Sequence, residues 1–156
     1  MDDTVPTLAE WAGRLAAFEN PTRTFYARVP AHPVLGPVFA GMNPTHAAHV
    51  AAFITEVFGG PKAYSEKGGS HAGMIAHHFN RHLTEAQRKA WVALMLDTAD
   101  EVGLPDDPEF RAAFVGYIEW GTRLARINSQ DGVTAEDPAA AMPVWNWGPP
   151  GGPWRG

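Results

Sequence analysis

The chain has 156 residues, of which 45% are hydrophobic and 19% are charged, a composition typical of one globular domain with a buried core. Its net charge of −5 argues against a general affinity for nucleic acid or anionic membranes, and the lack of cysteine excludes disulfide bonds. No run of about 20 apolar residues predicts a membrane helix, and the amino terminus does not resemble a signal peptide, so we expect a cytoplasmic protein.

Two helices are predicted in the first 30 residues. Thr7 is a favourable N-cap for the first helix. We expect Asn20-Pro21 to break this helix and to start the second, because asparagine caps well and proline suits the first helical position. In this interpretation the break lies at Asn20-Pro21 and not at Gly13, and the second helix carries Phe25 and Tyr26.

The next segment predicts a short helical turn followed by a third helix. Prolines flank residues 33–39, which are therefore expected to form a tight turn. The third helix runs from Asn43-Pro44 to about Phe58, because apolar residues and one histidine recur at helical spacing on a single face. The members of that face are His46, Val50, Phe53 and Val57.

All seven histidines lie between His32 and His82, and no Asp or Glu occurs between Glu66 and Glu85. With no cysteine, this segment offers few partner ligands for a non-haem metal. One imidazole in an apolar pocket instead suits haem, which brings four nitrogens of its own. A C-x-x-C-H attachment site is excluded, so such a haem is held non-covalently. A short helix is predicted here, with His71, Met74, Ile75 and His78 on one face.

Two longer helices are predicted in the second half of the chain. Thr84-Glu-Ala-Gln87 has the pattern of a capping box and opens a helix that carries Trp91. Gly103 is expected to end that helix, and Asp107-Pro108 to cap the last one. About six helices and no strand are predicted, which places the domain in the all-α class.

The composition changes after Asn128. Residues 129–156 contain five prolines, five glycines and three of the six tryptophans, without helical or strand periodicity. We therefore expect one folded domain over residues 1–128 and an irregular tail over 129–156, either extended or disordered.

Between residues 7 and 128 the chain resembles the group II truncated haemoglobins. The resemblance implies an all-α truncated globin, a sandwich of two helices over two around haem b, which binds dioxygen and other diatomic gases. The motifs that carry it are Phe25-Tyr26-Ala-Arg-Val29, Pro33-Val-Leu-Gly-Pro-Val-Phe39, Phe58-Gly-Gly-Pro-Lys-Ala-Tyr-Ser-Glu66, His78 and Trp91.

The resemblance implies that His78 is the proximal ligand of the haem iron. The alternative is His82, which lies one turn later and on the same face if the helix continues. Many family members follow the ligand closely with a proline and a phenylalanine, whereas this chain reads His78-Phe-Asn-Arg-His82. The path of the chain after His78 is therefore open.

On the opposite side of the haem, the resemblance implies that Tyr26, His46 and Trp91 surround the gas. Dioxygen on a ferrous haem carries partial negative charge, and phenol, imidazole and indole groups can each donate a hydrogen bond to it. Tyr26 and Trp91 have an alternative as ordinary core aromatics, and His46 as a solvent-exposed side chain.

Further pocket residues follow from family position and helical face. Apolar side chains line the haem, and polar or basic ones contact its propionates where the haem edge meets water. The expected apolar residues are Leu35, Phe39, Val50, Phe53, Met74 and Leu83. The expected propionate contacts are Tyr64, Lys67, His71 and Arg81, of which Lys67 and Arg81 are equally explained as solvated charges.

Three classes of function remain open from the sequence. The first is a haem globin, monomeric or homodimeric, that stores or delivers oxygen, or that turns over peroxide or nitric oxide with an external reductase. The second is a non-haem metal protein that uses the i, i+4 pair His78 and His82. The third is a helical interaction module that binds a partner through its tryptophan-rich tail.

Overall fold

A computed structural model describes residues 4–156. This part of the chain contains eight α-helices and one single-turn 3₁₀ helix, and no strand is found within it. The all-α class is confirmed. None of these helices is long and apolar enough to cross a membrane. The bounds are α1 Leu8–Ala12, α2 Arg14–Arg28, the 3₁₀ turn Val29–Ala31, α3 Leu35–Val38, α4 His46–Val57, α5 Ala63–Glu66, α6 His71–Ala76, α7 Glu85–Val102 and α8 Pro108–Asn128.

The break between the first two helices lies at Gly13, and the prediction of a break at Asn20-Pro21 is wrong. Gly13 has a φ of 117° and Arg14 a φ of 64°, so the chain turns sharply through left-handed conformations that favour glycine. Pro21 lies within α2 instead. The hydroxyl of the neighbouring Thr22 donates to the carbonyl oxygens of Phe18 and Glu19 in the preceding turn.

Helix boundaries that depend on local capping are as predicted. The Thr84 hydroxyl accepts from the backbone N–H of Gln87, and the Gln87 side chain accepts from the N–H of Thr84, which completes the capping box. Gly103 ends α7 in a left-handed conformation. Asp107 caps α8 by accepting from the N–H of Phe110. The four-residue helix α5 is not in the sequence prediction, because one turn is too short to show periodicity.

Two pairs of long helices form the core. Helix α2 packs along α4 and also contacts α7, and α7 packs on α8, which gives the two-over-two arrangement. Aromatic rings fill the space between the pairs. Phe58, at the end of α4, lies 5.5 Å from Phe18 of α2 and 6.3 Å from Phe114 of α8, measured between ring centroids. All three rings are almost fully buried, so the pairs are fixed relative to each other.

Two tryptophans beyond α8 contact the helical domain. Residues 129–156 contain no helix or strand. The N–H of Trp145 donates to the carbonyl of Val57 (2.8 Å), and its indole N–H donates to the carbonyl of Ala113 (3.0 Å). The indole N–H of Trp147 donates to the carbonyl of Pro6 (2.8 Å), and the Trp147 side chain is 6% exposed. This part of the tail lies against the ends of α1, α4 and α8.

Candidate functional site

The proximal segment begins at α6, where the Ser70 side chain accepts from the N–H of Gly73 as an N-cap. His78 lies just beyond the end of this helix and is half-buried. Its Nδ1 is 2.9 Å from the carbonyl oxygen of Met74. Because a carbonyl can only accept, Nδ1 carries the proton and Nε2 keeps a free lone pair. A ring fixed in this way by its other nitrogen is the usual arrangement of a metal-binding histidine.

His82 does not share a face with His78, contrary to the expectation. Helix α6 ends at Ala76, and both Asn80 (φ 60°) and His82 (φ 51°) adopt left-handed conformations, which interrupt the helical spacing. The His82 side chain is exposed, and its Nε2 lies 2.6 Å from a carboxylate oxygen of Asp131. The two imidazoles therefore have separate partners. Within residues 4–156, no group of three His, Cys, Asp or Glu side chains is arranged to hold a metal ion.

Three helices bring Tyr26, His46 and Trp91 together. Tyr26 is near the end of α2 and His46 is the first residue of α4, so their side chains meet where these helices pack. The Tyr26 hydroxyl is 3.1 Å from His46 Nε2, and the ring centroids are 4.8 Å apart. Trp91, on α7, contacts Phe25, with 4.9 Å between ring centroids. Phe25 in turn packs 4.8 Å from Tyr26, so one aromatic cluster spans α2 and α7.

Burial keeps both ionisable distal groups neutral. It raises the pKa of Tyr26, an effect that the neighbouring Trp91 side chain opposes as a hydrogen-bond partner. Burial is the main cause that lowers the pKa of His46 to about 4; the neighbouring His77 and Arg81 contribute to this lowering, and His49 and His78 contribute less. That influence means that the proximal segment lies close to His46. At neutral pH the site therefore offers a phenol and a neutral imidazole.

The expected apolar residues lie around these groups with differing exposure. Phe39 packs 5.5 Å from Tyr26 and 5.9 Å from His46, measured between ring centroids. Leu35 and Phe53 are buried in the protein core, at 1% and 7% exposure. The other members of the set are only half-buried, so each leaves part of an apolar surface uncovered. They are Phe39, Val50, Met74 and Leu83.

The four expected propionate contacts differ in whether their polar groups are free to bind a propionate. The Tyr64 hydroxyl donates to the carbonyl of Ser70 (3.1 Å), so its proton is already used. Lys67 is exposed. Arg81 is exposed and donates through Nε to the carbonyl of His77. In the described part of the chain, His71 Nδ1 is the one buried side-chain nitrogen or oxygen without a hydrogen-bond partner.

Sequence reasoning missed two residues that hold this region together. Glu56, near the end of α4, is buried and accepts from the N–H (2.9 Å) and the hydroxyl of Ser65 in α5. Glu56 and Glu66 are the only acidic residues between positions 20 and 84, and this rarity was the available signal. Phe25 was assigned only to a motif, although it joins the rings of Tyr26 and Trp91.

Comparison with known proteins identifies the family. Residues 7–117 match the bacterial-like globin family. Over 100 residues, 64% of this chain and 74% of its relative, the chain is 36% identical to the group 2 truncated hemoglobin YjbI of Bacillus subtilis (strain 168). The chain belongs to the group II truncated haemoglobins.

Solved structures of truncated haemoglobins share this fold. The X-ray structure of a truncated oxygen-avid haemoglobin from Bacillus subtilis has a TM-score of 0.66 and 32% identity, and the match covers 76% of this chain and 97% of that one. The group II truncated hemoglobin of Bacillus anthracis has a TM-score of 0.70 and 26% identity, with coverage of 79% and 92%. The predicted family and fold are therefore confirmed.

Membership of the truncated haemoglobins implies haem, and the side chains of this truncated haemoglobin fit it. His78 presents a free Nε2, as a proximal ligand requires. Buried His71 Nδ1 has no partner of its own, so it is free for an anionic group such as a propionate. Half-buried Phe39, Val50 and Met74 offer apolar surface for a flat macrocycle.

Proposed function

We propose that this truncated haemoglobin holds haem b non-covalently through His78 and binds dioxygen reversibly at a five-coordinate ferrous iron. The observation that carries the proposal is the hydrogen bond from His78 Nδ1 to the Met74 carbonyl, which directs the free Nε2 away from α6. The related truncated haemoglobin of Bacillus subtilis is oxygen-avid, which supports oxygen as the ligand here.

When bound, haem supplies a ferrous iron that binds diatomic gases. The chain supplies the hydrogen-bond donors around the gas. The Tyr26 hydroxyl can turn from His46 Nε2 toward a polarised ligand, and neutral His46 can donate in its place as the other tautomer. Trp91 adds an indole N–H, which can only donate. Carbon monoxide, which is less polarised than dioxygen, gains less from these bonds.

Strong hydrogen bonding favours chemistry on oxygen over rapid delivery, because it slows oxygen release. Each donor contributes roughly 1–3 kcal/mol when a charged or strongly polarised acceptor is buried with it. We therefore propose redox chemistry with oxygen, nitric oxide or peroxide as the function, with oxygen binding alone as the simpler alternative. Turnover with nitric oxide needs an external reductase, since the sequence has no flavin- or nicotinamide-binding motif.

Absorption spectroscopy tests the proposal directly. We expect the purified protein to take up one haem per chain, to give a five-coordinate ferrous spectrum and to shift cleanly on addition of carbon monoxide. His78→Gly should lose this spectrum and regain it with added imidazole. The matched control is His82→Ala, which removes an exposed imidazole four residues away and should keep the five-coordinate spectrum and its shift with carbon monoxide. A normal spectrum in His78→Gly without imidazole would refute the ligand assignment.

The observations favour haem over the two alternatives. A non-haem site needs the imidazoles of His78 and His82 to converge, but they bind Met74 and Asp131 respectively. A partner-binding tail needs free tryptophans, whereas two of the three in the tail, Trp145 and Trp147, donate to carbonyls of the same chain, which leaves the exposed Trp154. Failure to take up haem would return attention to these two classes.

A further inference from the structure

We propose that residues 129–131, immediately after α8, form a clamp that positions the proximal histidine by fixing the loop that follows it. The inference rests on the proposed function, in which His78 is the haem ligand. It concerns a part of the chain that neither the helical pattern nor the resemblance connects with the haem. We refer to residues 129–131 as the terminal clamp.

The loop after His78 is held in a strained conformation. Helix α6 ends at Ala76, and the chain has no further regular helix until Glu85. Within this interval, Asn80 and His82 have φ values of 60° and 51°. A left-handed conformation costs roughly 1–2 kcal/mol for a residue with a side chain, and asparagine tolerates it better than histidine. Such a conformation persists only where surrounding contacts impose it.

Three hydrogen bonds between the terminal clamp and the loop hold the loop in this conformation. The N–H of His82 donates to the carbonyl of Ser129 (2.8 Å), and the N–H of Leu83 donates to the Ser129 hydroxyl oxygen (2.9 Å). The Gln130 side-chain amide donates to the carbonyl of Leu83 (3.0 Å). Both peptide groups at the end of the loop are therefore bound to residues 46 or 47 positions later in the sequence.

Ser129 is itself firmly held. It is fully buried, and its hydroxyl donates to the carbonyl of Arg126 at the end of α8 (2.7 Å) while it accepts from Leu83. An alanine here would remove the acceptor of the partly buried Leu83 N–H, and leaving one partner unpaired is the costly way to lose a hydrogen bond. The position of the loop thus depends on α8.

The exposed contact between His82 and Asp131 orients the His82 ring rather than stabilising the fold. His82 Nε2 lies 2.6 Å from Asp131 Oδ1, with 56% and 86% of the side chains exposed. Exposed pairs of this kind contribute little to folding. This contact nevertheless keeps the His82 ring on the side of the terminal clamp, so it does not compete with His78 for the iron.

His78 is consequently held from both directions along the chain. Its ring bonds back to Met74 in α6, and its carbonyl accepts from the N–H of Arg81 (3.3 Å), which adjoins the clamped His82. Loosening the clamp should let the backbone of His78 shift and change the angle at which its ring faces the haem. Outer contacts of this kind affect metal binding without touching the metal.

The experiment compares haem-loaded full-length variants. Ser129→Ala breaks the partly buried hydrogen bond to Leu83, and Asp131→Ala removes the exposed partner of His82. The control Thr122→Val removes a half-buried hydroxyl from the same helix, where it bonds to Ile118 and Arg88, away from the loop. The two readouts are the iron–histidine stretching band of the ferrous protein in resonance Raman spectra and the rate of haem transfer to excess apomyoglobin.

We expect Ser129→Ala to shift or broaden the iron–histidine band and to speed haem loss roughly three- to tenfold, as the loss of one partly buried hydrogen bond predicts. Asp131→Ala should change the band and the rate of haem loss in the same direction, but by less. Thr122→Val should change neither of these two readouts. A Ser129→Ala variant that behaves like Thr122→Val, with a wild-type band and wild-type haem loss, would overturn the proposal.

His78→Gly separates failure of the clamp from failure of the proposed function. If its band is lost while Ser129→Ala keeps the wild-type band, His78 is the ligand and only the clamp is wrong. If His78→Gly keeps the band, the ligand assignment itself is wrong and the clamp loses its basis. Should Ser129→Ala fail to fold, the exposed Asp131→Ala decides the question alone.

Discussion

The hydroxyl of Tyr26 lies 3.1 Å from Nε2 of His46, so one hydrogen bond joins a buried phenol to a half-buried imidazole. The pair joins the carboxyl end of α2 to the amino end of α4. Since burial raises the pKa of Tyr26 and lowers that of His46, neither group ionises at neutral pH. A polar ligand that enters between them can accept the hydrogen bond that now joins the two side chains.

Tyr26→Phe should release oxygen faster. The substitution removes one donor to the ligand and leaves the ring packing on Phe39 in place. We expect the oxygen dissociation rate to rise roughly 10- to 100-fold in stopped-flow measurements, with a smaller effect on carbon monoxide. Tyr117→Phe is the matched control, because Tyr117 is equally buried but packs on Phe58 in the core. Equal oxygen rates in Tyr26→Phe and wild type would contradict the assigned role.

The depressed pKa of His46 makes folding stability sensitive to acid. In the folded chain this pKa is about 4, against 6.5 for an unperturbed histidine, so the unfolded state takes up the proton first as pH falls. The stabilisation from neutral His46 is complete above about pH 6.5 and is lost as pH falls toward 4. Allowing for partial exposure, we expect a loss of about 1 kcal/mol between pH 7 and pH 5.

Urea unfolding of the haem-loaded protein at these two pH values measures this loss. Other titrating groups add their own pH dependence, so the quantity of interest is the difference between wild type and His46→Leu. The variant should lose less stability on acidification. His49→Leu, which removes an exposed imidazole from the same helix, should behave like wild type. Identical pH dependence in wild type and His46→Leu would disprove the linkage.

The sequence was informative where structure depends on near neighbours. The capping box at Thr84 and the cap at Asp107 involve residues three positions apart, and both formed as predicted. The break at Gly13 and the course of α2 through Pro21 were not predicted, because local propensity favours a break at the proline and tertiary packing overrides it.

The candidate site also combines features that depend on near neighbours in the chain with features that depend on tertiary packing. That His46 reaches Tyr26 depends on how α2 and α4 pack, so the sequence offered these residues only through a family resemblance. The helical extrapolation from His78 to His82 was wrong because α6 ends at Ala76 and the chain then turns through left-handed Asn80 and His82, where His82 bonds to Ser129, 47 residues later. No periodicity within the segment carries that information.

Two neighbouring glycines should differ sharply in their tolerance of alanine. A Cβ at Gly69 would lie 2.6 Å from the Tyr64 ring, whereas a Cβ at Gly68 meets no atom within 4 Å and suffers only from a φ of 88°. The Tyr64 ring is held by Phe53 and by the bond to Ser70, so it cannot simply move aside. We expect Gly68→Ala to cost about 1 kcal/mol and Gly69→Ala about 2–3 kcal/mol in urea unfolding.

A double-mutant cycle identifies the cause of the difference. In a Tyr64→Ala background, the clash at Gly69 is removed, so Gly69→Ala should cost much less than in wild type. An equal cost in both backgrounds would show that the ring is not the obstacle.

Trp147 should stabilise the helical domain although it lies in the irregular tail. Its ring is buried against Trp11 (6.2 Å between centroids) and Phe110 (6.5 Å), and its indole N–H donates to Pro6. Trp147→Ala should lower the free energy of unfolding by about 3–5 kcal/mol, the usual cost of removing a buried tryptophan. Trp154→Ala is the control, because Trp154 is 51% exposed, and it should change stability by less than about 0.5 kcal/mol.

A chain that ends at residue 131 extends this prediction to the whole tail. It keeps Ser129, Gln130 and Asp131 at the proximal loop but lacks Trp145 and Trp147. We therefore expect lower stability in urea, comparable to that of Trp147→Ala or below, with an unchanged iron–histidine band. Wild-type stability in the shortened chain would mean that residues 132–156 form an appendage, as a domain boundary near residue 128 implies. Reduced stability together with an altered band would instead mean that the tail acts on the haem pocket itself.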